Sequence, residues 1–285
     1  MTRVLREPAE LRRACDEARA SGHRVGLVPT MGALHAGHHS LIDEARARAG
    51  FVVVTVFVNP LQFAEGEDLD RYPRTFDADL SGCEAREVDV VFAPDPAEMY
   101  PPGFQTQVSV TEVTKPLEGK FRPTHFDGVT TVVAKLFNLV GSCVATFGRK
   151  DYQQWKILAR LARDLDMPID VVGCPIVRES DGLALSSRNR YLSERDRIRA
   201  LGIVAGLRAA YDAWAQGERN PEVLRALAAA QLVSRFDRVD YVAAVDPETL
   251  LAIQGVPDRL LLAIAAHLGT TRLIDNVVLG EDLRP

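Results

Sequence analysis

Phe51-Val52-Val53-Val54-Thr55-Val56-Phe57-Val58 is an unbroken apolar run, mostly β-branched. Such a run predicts a strand buried on both faces. Upstream, Arg24-Val25-Gly26-Leu27-Val28-Pro29 reads as a second short buried strand that ends at a turn. Between the two, His35 to Ala49 carries Leu41, Ile42 and Ala45 at helical spacing, and Gly50 ends it. Strand, helix and strand within about 35 residues make a βαβ unit, which demands a parallel sheet and a right-handed crossover.

The same alternation extends outward. Glu7 to Ala20 has helical periodicity and many charges. Thr75 to Arg86 is predicted as a helix, and Val88 to Phe92 as a strand closed by Pro94 and Pro96. Val129, Val132, Val133, Leu136, Phe137 and Val140 form one apolar helix face. Cys143 to Phe147 is a further strand, Tyr152 to Asp166 a helix and Ile169 to Val172 another strand. Residues 1–175 are therefore expected to form an open, doubly wound α/β domain. After Ser193 come Ala-, Leu- and Arg-rich helices, Arg195 to Gly217 and Pro221 to Phe236. The strand-like segments Asp240 to Val245, Leu260 to Ala266 and Thr271 to Asp275 come next, so 176–285 is expected to be a smaller α+β domain.

Composition narrows the function. The chain has 285 residues, 47% hydrophobic and 26% charged, with a net charge of −5. That is an ordinary globular balance, long enough to bury a core without disulfides. An acidic balance disfavours nucleic acid as the main partner, since binding phosphate backbones favours basic surfaces. Cys15, Cys83, Cys143 and Cys174 are scattered, with no C-x-x-C pair, and are read as buried reduced thiols. Met1 to Glu7 has no apolar signal-peptide core, and the longest apolar stretches fall far short of a membrane span. A cytoplasmic protein is expected.

No Walker loop and no G-x-G-x-x-G occurs. The first strand of the βαβ unit leads instead into Pro29-Thr30-Met31-Gly32-Ala33-Leu34-His35-Ala36-Gly37-His38. This stretch lies at the carboxyl edge of a parallel sheet, where ligands bind and a helix N-terminus offers free N–H groups to phosphate. Gly32 and Gly37 permit close approach, and His35 and His38, three apart, would share a helix face. The helix dipole would keep their imidazoles neutral, and a neutral imidazole N–H can still donate to phosphate. Two other readings stand beside phosphate binding: plain polar residues at a helix start, and a metal site using His35, His38 and His39. The latter lacks a well-placed carboxylate. A second strand-to-helix junction, Phe147-Gly148-Arg149-Lys150-Asp151-Tyr152-Gln153-Gln154, offers Gly148 for close approach and Lys150 as a point charge, with Asp151 a candidate cap. A third segment, Val177 to Arg190, brings Ser186, Ser187 and Arg188, residue types suited to a triphosphate.

Together these segments resemble the pantothenate synthetase (pantoate–β-alanine ligase) family. The residues that carry the resemblance are Pro29 to His38, Val58-Asn59-Pro60-Leu61-Gln62-Phe63 and Asp68 to Arg74. Arg122-Pro123-Thr124-His125-Phe126-Asp127-Gly128-Val129, Lys150 to Gln154 and Asp181 to Leu192 complete it. The histidine segment alone would indicate only the wider nucleotidyltransferase superfamily. The resemblance implies a Rossmann-like ATP/pantoate-binding domain and a C-terminal lid, in a homodimer. It implies ATP, Mg²⁺, pantoate and β-alanine as ligands, with pantothenate, AMP and pyrophosphate as products. Met31, Gly32, Ala33, Leu34, His35, Ala36, Gly37 and His38 match ATP contacts, with His38 at the proton-donor position. Gly148, Arg149, Lys150, Asp151, Val177, Leu185, Ser186, Ser187 and Arg188 match further ATP contacts; Gln62 matches the residue contacting pantoate and β-alanine, and Gln154 another pantoate contact. Metal ligands are not implied by any residue. Leu185 stands where the family usually has Met, His39 where it has Leu, Thr124 for Gly and Arg149 for Glu.

The residue types suit the implied chemistry. Joining a carboxylate to the α-phosphorus of ATP brings two anions together, so positioning and charge neutralisation by Lys150, Arg188, Mg²⁺ and the helix N-terminus that carries His35 and His38 should dominate. Neutral Gln62 and Gln154 can orient pantoate without quenching its carboxylate. No G-x-S-x-G elbow or catalytic cysteine is evident, and an acyl-adenylate needs no protein nucleophile. An adenylyltransferase that stops at nucleotidyl transfer and a nucleotide-binding regulatory module are the alternatives.

Overall fold

The computed structural model describes residues 1–64, 66 and 69–285. Two compact units share the chain. The first comprises Met1–Lys115, Arg122–Arg149 and Gln154–Pro175; the second comprises Pro116–Phe121, Lys150–Gln153 and Ile176–Pro285. The chain therefore passes between units several times rather than once.

In the first unit the elements run β1 (Arg3–Leu5), α1 (Pro8–Ala20), β2 (Val25–Thr30), α2 (Ala36–Arg48), β3 (Phe51–Val56), α3 (Phe76–Glu84) and β4 (Val90–Phe92). A short α4 (Pro96–Met99) comes next, then α6 (His125–Val140), β5 (Cys143–Gly148), α7 (Tyr152–Asp164) and β6 (Ile169–Cys174), with α5 (Glu118–Phe121) belonging to the second unit. The described strands pair in parallel in the order β1-β4-β3-β2-β5-β6. Chain direction across the sheet reverses between β2 and β5, the switch point at which open α/β sheets bind ligands.

The unbroken apolar run has its reason in the two faces of this sheet. Leu27, Val53, Val90 and Phe92 pack with Leu11 and Cys15 of α1, Val129 and Leu136 of α6 and Leu158 of α7. Val28, Val52, Val54 and Val91 face Leu41, Ile42 and Ala45 of α2 and Cys83 of α3. Each central strand is thus dry on both sides.

The second unit packs α8 (Glu194–Ala215) and α9 (Pro221–Ala230) on an antiparallel sheet, β7 (Arg238–Val245), β8 (Leu260–Leu268) and β9 (Thr271–Leu279), in sequential order. Ile203, Leu207, Leu224, Leu260, Leu262, Ile264 and Val277 form its core. α9 ends at Ala230, six residues before the Phe236 expected from sequence, as the chain turns to bury Leu232 and Phe236 separately. Strand β1 is an addition: three residues held to β4 as an edge strand, with Arg3 N donating to Asp89 O (2.9 Å) and Ala93 N to Leu5 O (2.9 Å).

Candidate active site

The β2–α2 junction, at the carboxyl edge of the sheet, is built around two successive left-handed residues, Gly32 (φ +84°) and Ala33 (φ +52°). Gly32 answers to a need of the chain itself, because a Cβ there would also press Asp79 Oδ2 at 3.0 Å. The strained turn is held from two sides. Thr30 Oγ1 accepts the Gly32 N–H (3.1 Å) while donating to Thr55 O (2.5 Å). The carboxylate of Asp79, in α3 and 2% exposed, accepts the N–H groups of Ala33 (2.9 Å) and Leu34 (2.7 Å) and the Thr75 hydroxyl (3.2 Å). Charge-assisted bonds of this kind offset the burial of a carboxylate.

His35 is not a helical residue, as the i, i+3 argument supposed, but the N-cap of α2. Its Nδ1 accepts the Gly37 N–H (3.1 Å), which assigns a neutral imidazole with its proton on Nε2. The rings of His35 and His38 nevertheless meet, 4.1 Å between centroids at 35°. The first turn of α2 contains no acidic residue, and the nearest carboxylate, that of Asp79, is engaged with the Ala33 and Leu34 N–H groups of the preceding loop. His39 turns away toward α3, where a Cβ on Gly82 would lie 2.9 Å from its Nε2. Burial, reinforced by Arg86, lowers the His39 pKa from its ordinary value.

Beside this junction, at the end of β3, Asn59 caps a 3₁₀ turn, Pro60–Gln62. Asn59 is 1% exposed; its Nδ2 donates to Gly128 O (3.0 Å) and Gln62 Oε1 (3.2 Å), and its Oδ1 accepts from Tyr100 Oη (2.8 Å). Gln62 Nε2 lies 2.7 Å from Met31 Sδ. The Gln62 carbonyl accepts from Arg122 Nη2 (3.3 Å) and faces His125 Nδ1 at 2.9 Å. Gly128, in the first turn of α6, admits this loop, since a Cβ there would collide with the Leu61 carbonyl. Burial raises the Tyr100 pKa, so its hydroxyl stays a donor. The structure therefore brings Met31, His35, His38 and Gln62 to neighbouring strand ends. Gln154 lies in the first turn of α7, after β5, the strand on the other side of β2, and is half-buried. At Gly148 a Cβ would meet nothing within 4 Å, and Arg149 lies over the Trp155 ring (5.6 Å).

The remaining residues singled out in the sequence lie in the second unit. Lys150 and Asp151 close the 3₁₀ turn Arg149–Asp151. Val177 O accepts the Leu185 N–H (3.0 Å) across a hairpin, and Ser186 caps the turn Ser187–Tyr191 that includes Arg188, accepting the Arg188 N–H (3.3 Å). The hairpin is fastened by Glu179, which accepts from Arg197 (2.8 Å twice) and Asn189 (2.9 Å); the Arg197 bonds hold its carboxyl below the ordinary value. Asp68 lies outside the described residues. Among the described residues no group of three His, Cys, Asp or Glu side chains converges to hold a metal ion. Burial raises the thiols of Cys15 and Cys174 to about 11 and of Cys83 and Cys143 to about 12, far from nucleophilic thiolates at neutral pH.

Sequence reading did not single out Asp79 or Tyr100, and gave Asn59 no role beyond its place in the Val58–Phe63 segment. Asn59 before Pro60 could be read as a turn cap, but Asp79 looks like any solvated first-turn acid until the β2–α2 loop is seen against it.

Residues 3–278 match the family model described as pantoate-beta-alanine ligase. A pantothenate synthetase of Geotalea uraniireducens is 50% identical over 274 residues, covering 96% of this chain and 97% of that one. One of Thermotoga neapolitana is 47% identical over 280 residues, covering 98% and 100%. The crystal structure of a Thermus thermophilus pantothenate synthetase superposes with a TM-score of 0.91 at 45% identity, covering 96% and 98%. That of the Francisella tularensis pantoate-beta-alanine ligase, complexed with beta-gamma ATP and beta-alanine, gives 0.79 at 30% identity and full coverage of both chains.

Proposed function

The chain belongs to the pantoate–β-alanine ligase family, and from that premise we propose that it condenses pantoate with β-alanine in two steps at the expense of ATP. A pantoate carboxylate oxygen attacks the α-phosphorus of ATP; the bond to the β-phosphate oxygen breaks, and pyrophosphate leaves with the electron pair. The β-alanine amine then attacks the acyl carbon of the adenylate, AMP leaves, and the amine proton passes to solvent. The observation that supports this reading best is the paired His35 and His38 rings at the N-terminus of α2, whose first turn holds no acidic residue, with the Asn59–Gln62 amide pair alongside.

In this reading Met31, Gly32, Ala33, Leu34, His35, Ala36, Gly37 and His38 line the nucleotide, and the Nε2–H of His35 donates to phosphate. The His38 ring meets charge developing on the departing pyrophosphate, where a preorganised donor is most effective. Gly148, Arg149, Lys150, Asp151, Val177, Leu185, Ser186, Ser187 and Arg188 are its further contacts, with Lys150 and Arg188 neutralising the phosphates. Gln62 and Gln154 hold pantoate: a neutral amide orients its hydroxyls and carboxylate, whereas an arginine would stabilise the ground state as much as the transition state. Mg²⁺ arrives with the substrate on the phosphates of ATP, the usual way this cation is carried where a protein offers few carboxylates of its own.

The protein acts as a cytoplasmic homodimer in this proposal; no described helix is long and apolar enough to cross a membrane, and a monomer by sedimentation would contradict the dimer. Incubation with ATP, pantoate and β-alanine should yield AMP, pyrophosphate and pantothenate. ADP and orthophosphate as products would refute the mechanism.

A further inference from the structure

Asp275 and Asn276 lie in β9, outside every segment whose motif pointed to ATP, and are only 3% and 4% exposed. Buried polar side chains persist where they hold something, because each costs free energy unless its hydrogen bonds are made. These two hold both of the second unit's proposed nucleotide segments.

Asp275 grips Arg178 with both oxygens, at 2.6 Å to Nη1 and 3.1 Å to Nη2. The same guanidinium donates to Gly182 O (3.1 Å) and to Asn276 O (3.4 Å). Arg178 bridges Ala184 across the hairpin whose next residue, Leu185, donates to Val177 O. Fixing Arg178 therefore fixes the base of the stretch carrying Leu185, Ser186, Ser187 and Arg188. The neighbouring residue reaches a segment 126 positions away, Asn276 Nδ2 donating to the main-chain carbonyl of Lys150 (2.9 Å). The Asn276 N–H donates back to Asp275 Oδ1 (2.8 Å), which couples the two anchors.

We infer that Asp275 and Asn276 are positioning residues for the adenylation step: Asn276 sets the backbone from which Lys150 projects, and Asp275, through Arg178, sets the hairpin that carries Arg188. The inference rests on the proposed ATP role of Lys150 and Arg188. Neither residue needs to touch a substrate. Displacing a charge-neutralising group by about 1 Å can cost up to about a hundredfold in rate, which is the lever such anchors control.

The test uses the full-length enzyme and pantoate-dependent AMP release. Asn276→Asp keeps the side-chain shape but faces the Lys150 carbonyl with an acceptor. It should raise the KM for ATP and lower kcat/KM for ATP about tenfold to a hundredfold, and leave the β-alanine KM within about twofold of wild type. A residue that only stabilised the fold would reduce the active fraction and leave both KM values unchanged. The loss should also disappear in a Lys150→Ala background, and an Asp275→Asn loss should likewise disappear in an Arg188→Ala background. If Asn276→Asp does not fold, Asn276→Ser replaces it, since KM is independent of the folded fraction. Lys150→Ala with full activity would refute the ATP role of Lys150 and the inference with it. An impaired Lys150→Ala beside a normal Asn276→Asp, or losses that multiply in the double variant, would overturn the inference alone.

Discussion

His35 and His38 present their rings to one another from different positions, one capping α2 and one inside its first turn. The cap fixes the His35 tautomer, and the His38 ring lies against it, tilted by 35°. His38→Ala should lower the rate of adenylate formation by roughly 10²–10³, the usual cost of one preorganised donor, with a smaller rise in ATP KM. Pre-steady-state adenylate formation at saturating ATP and pantoate measures this; a near-normal rate would remove His38 from the chemistry. Its neighbour His39 behaves oppositely. On the flank of α3 its neutral form is favoured by burial and by Arg86, so the unfolded chain binds a proton more readily than the folded one. The stability His39 contributes is complete above its ordinary value of 6.5 and is lost as pH falls through the lowered folded value. His39→Leu does not titrate and should change kcat less than about threefold, as for a substitution away from the chemistry. Its melting temperature should gain on wild type as pH falls from about 7.5 to about 5.5; a gap that stays constant would contradict this placement.

At the level of elements, one turn of α6 and one 3₁₀ turn after β3 touch backbone to backbone at Gly128, and Gln62 rides on that contact. Gly128→Ala should push the Gln62 loop away, at about 1–3 kcal/mol of stability for overpacking, and raise the pantoate KM roughly tenfold or more. ATP KM should move much less. Comparing the two KM values checks it, and an unchanged pantoate KM in a folded variant would contradict the role of the contact. The same scale explains what could be read in advance. β3 and α2 were legible because dry faces impose continuous or 3.6-residue apolar patterns on their own sequence. Strand β1 was not, since three residues gain their conformation from pairing with β4, 87 positions away at Arg3 and Val90. The histidine loop carried its motif openly. Its clamp did not: Asp79 meets Ala33 across 46 positions and Asn59 meets Gly128 across 69, distances over which a single sequence records no pattern.

For the whole molecule, composition and the βαβ alternation were enough to indicate an α/β domain followed by a smaller α+β one. They could not reveal that Pro116–Phe121 and Lys150–Gln153 join the second unit, because the reasons are side chains distant in sequence. Gln153 accepts the Glu118 N–H (3.0 Å) and donates to Pro116 O (2.8 Å), while Glu118 meets Arg272 (2.5 and 2.8 Å) and Tyr241 Oη (2.6 Å). The central claim is that pantoate is activated on the α-phosphorus of ATP before any amine is engaged. The direct measurement is exchange of labelled pyrophosphate into ATP by the purified enzyme, supplied with pantoate and no β-alanine. Pantoate-dependent exchange at a rate no slower than overall turnover is the expected result. Exchange that is absent until β-alanine is added would contradict a free-standing adenylate and, with it, the division of labour assigned to His38, Gln62 and Lys150.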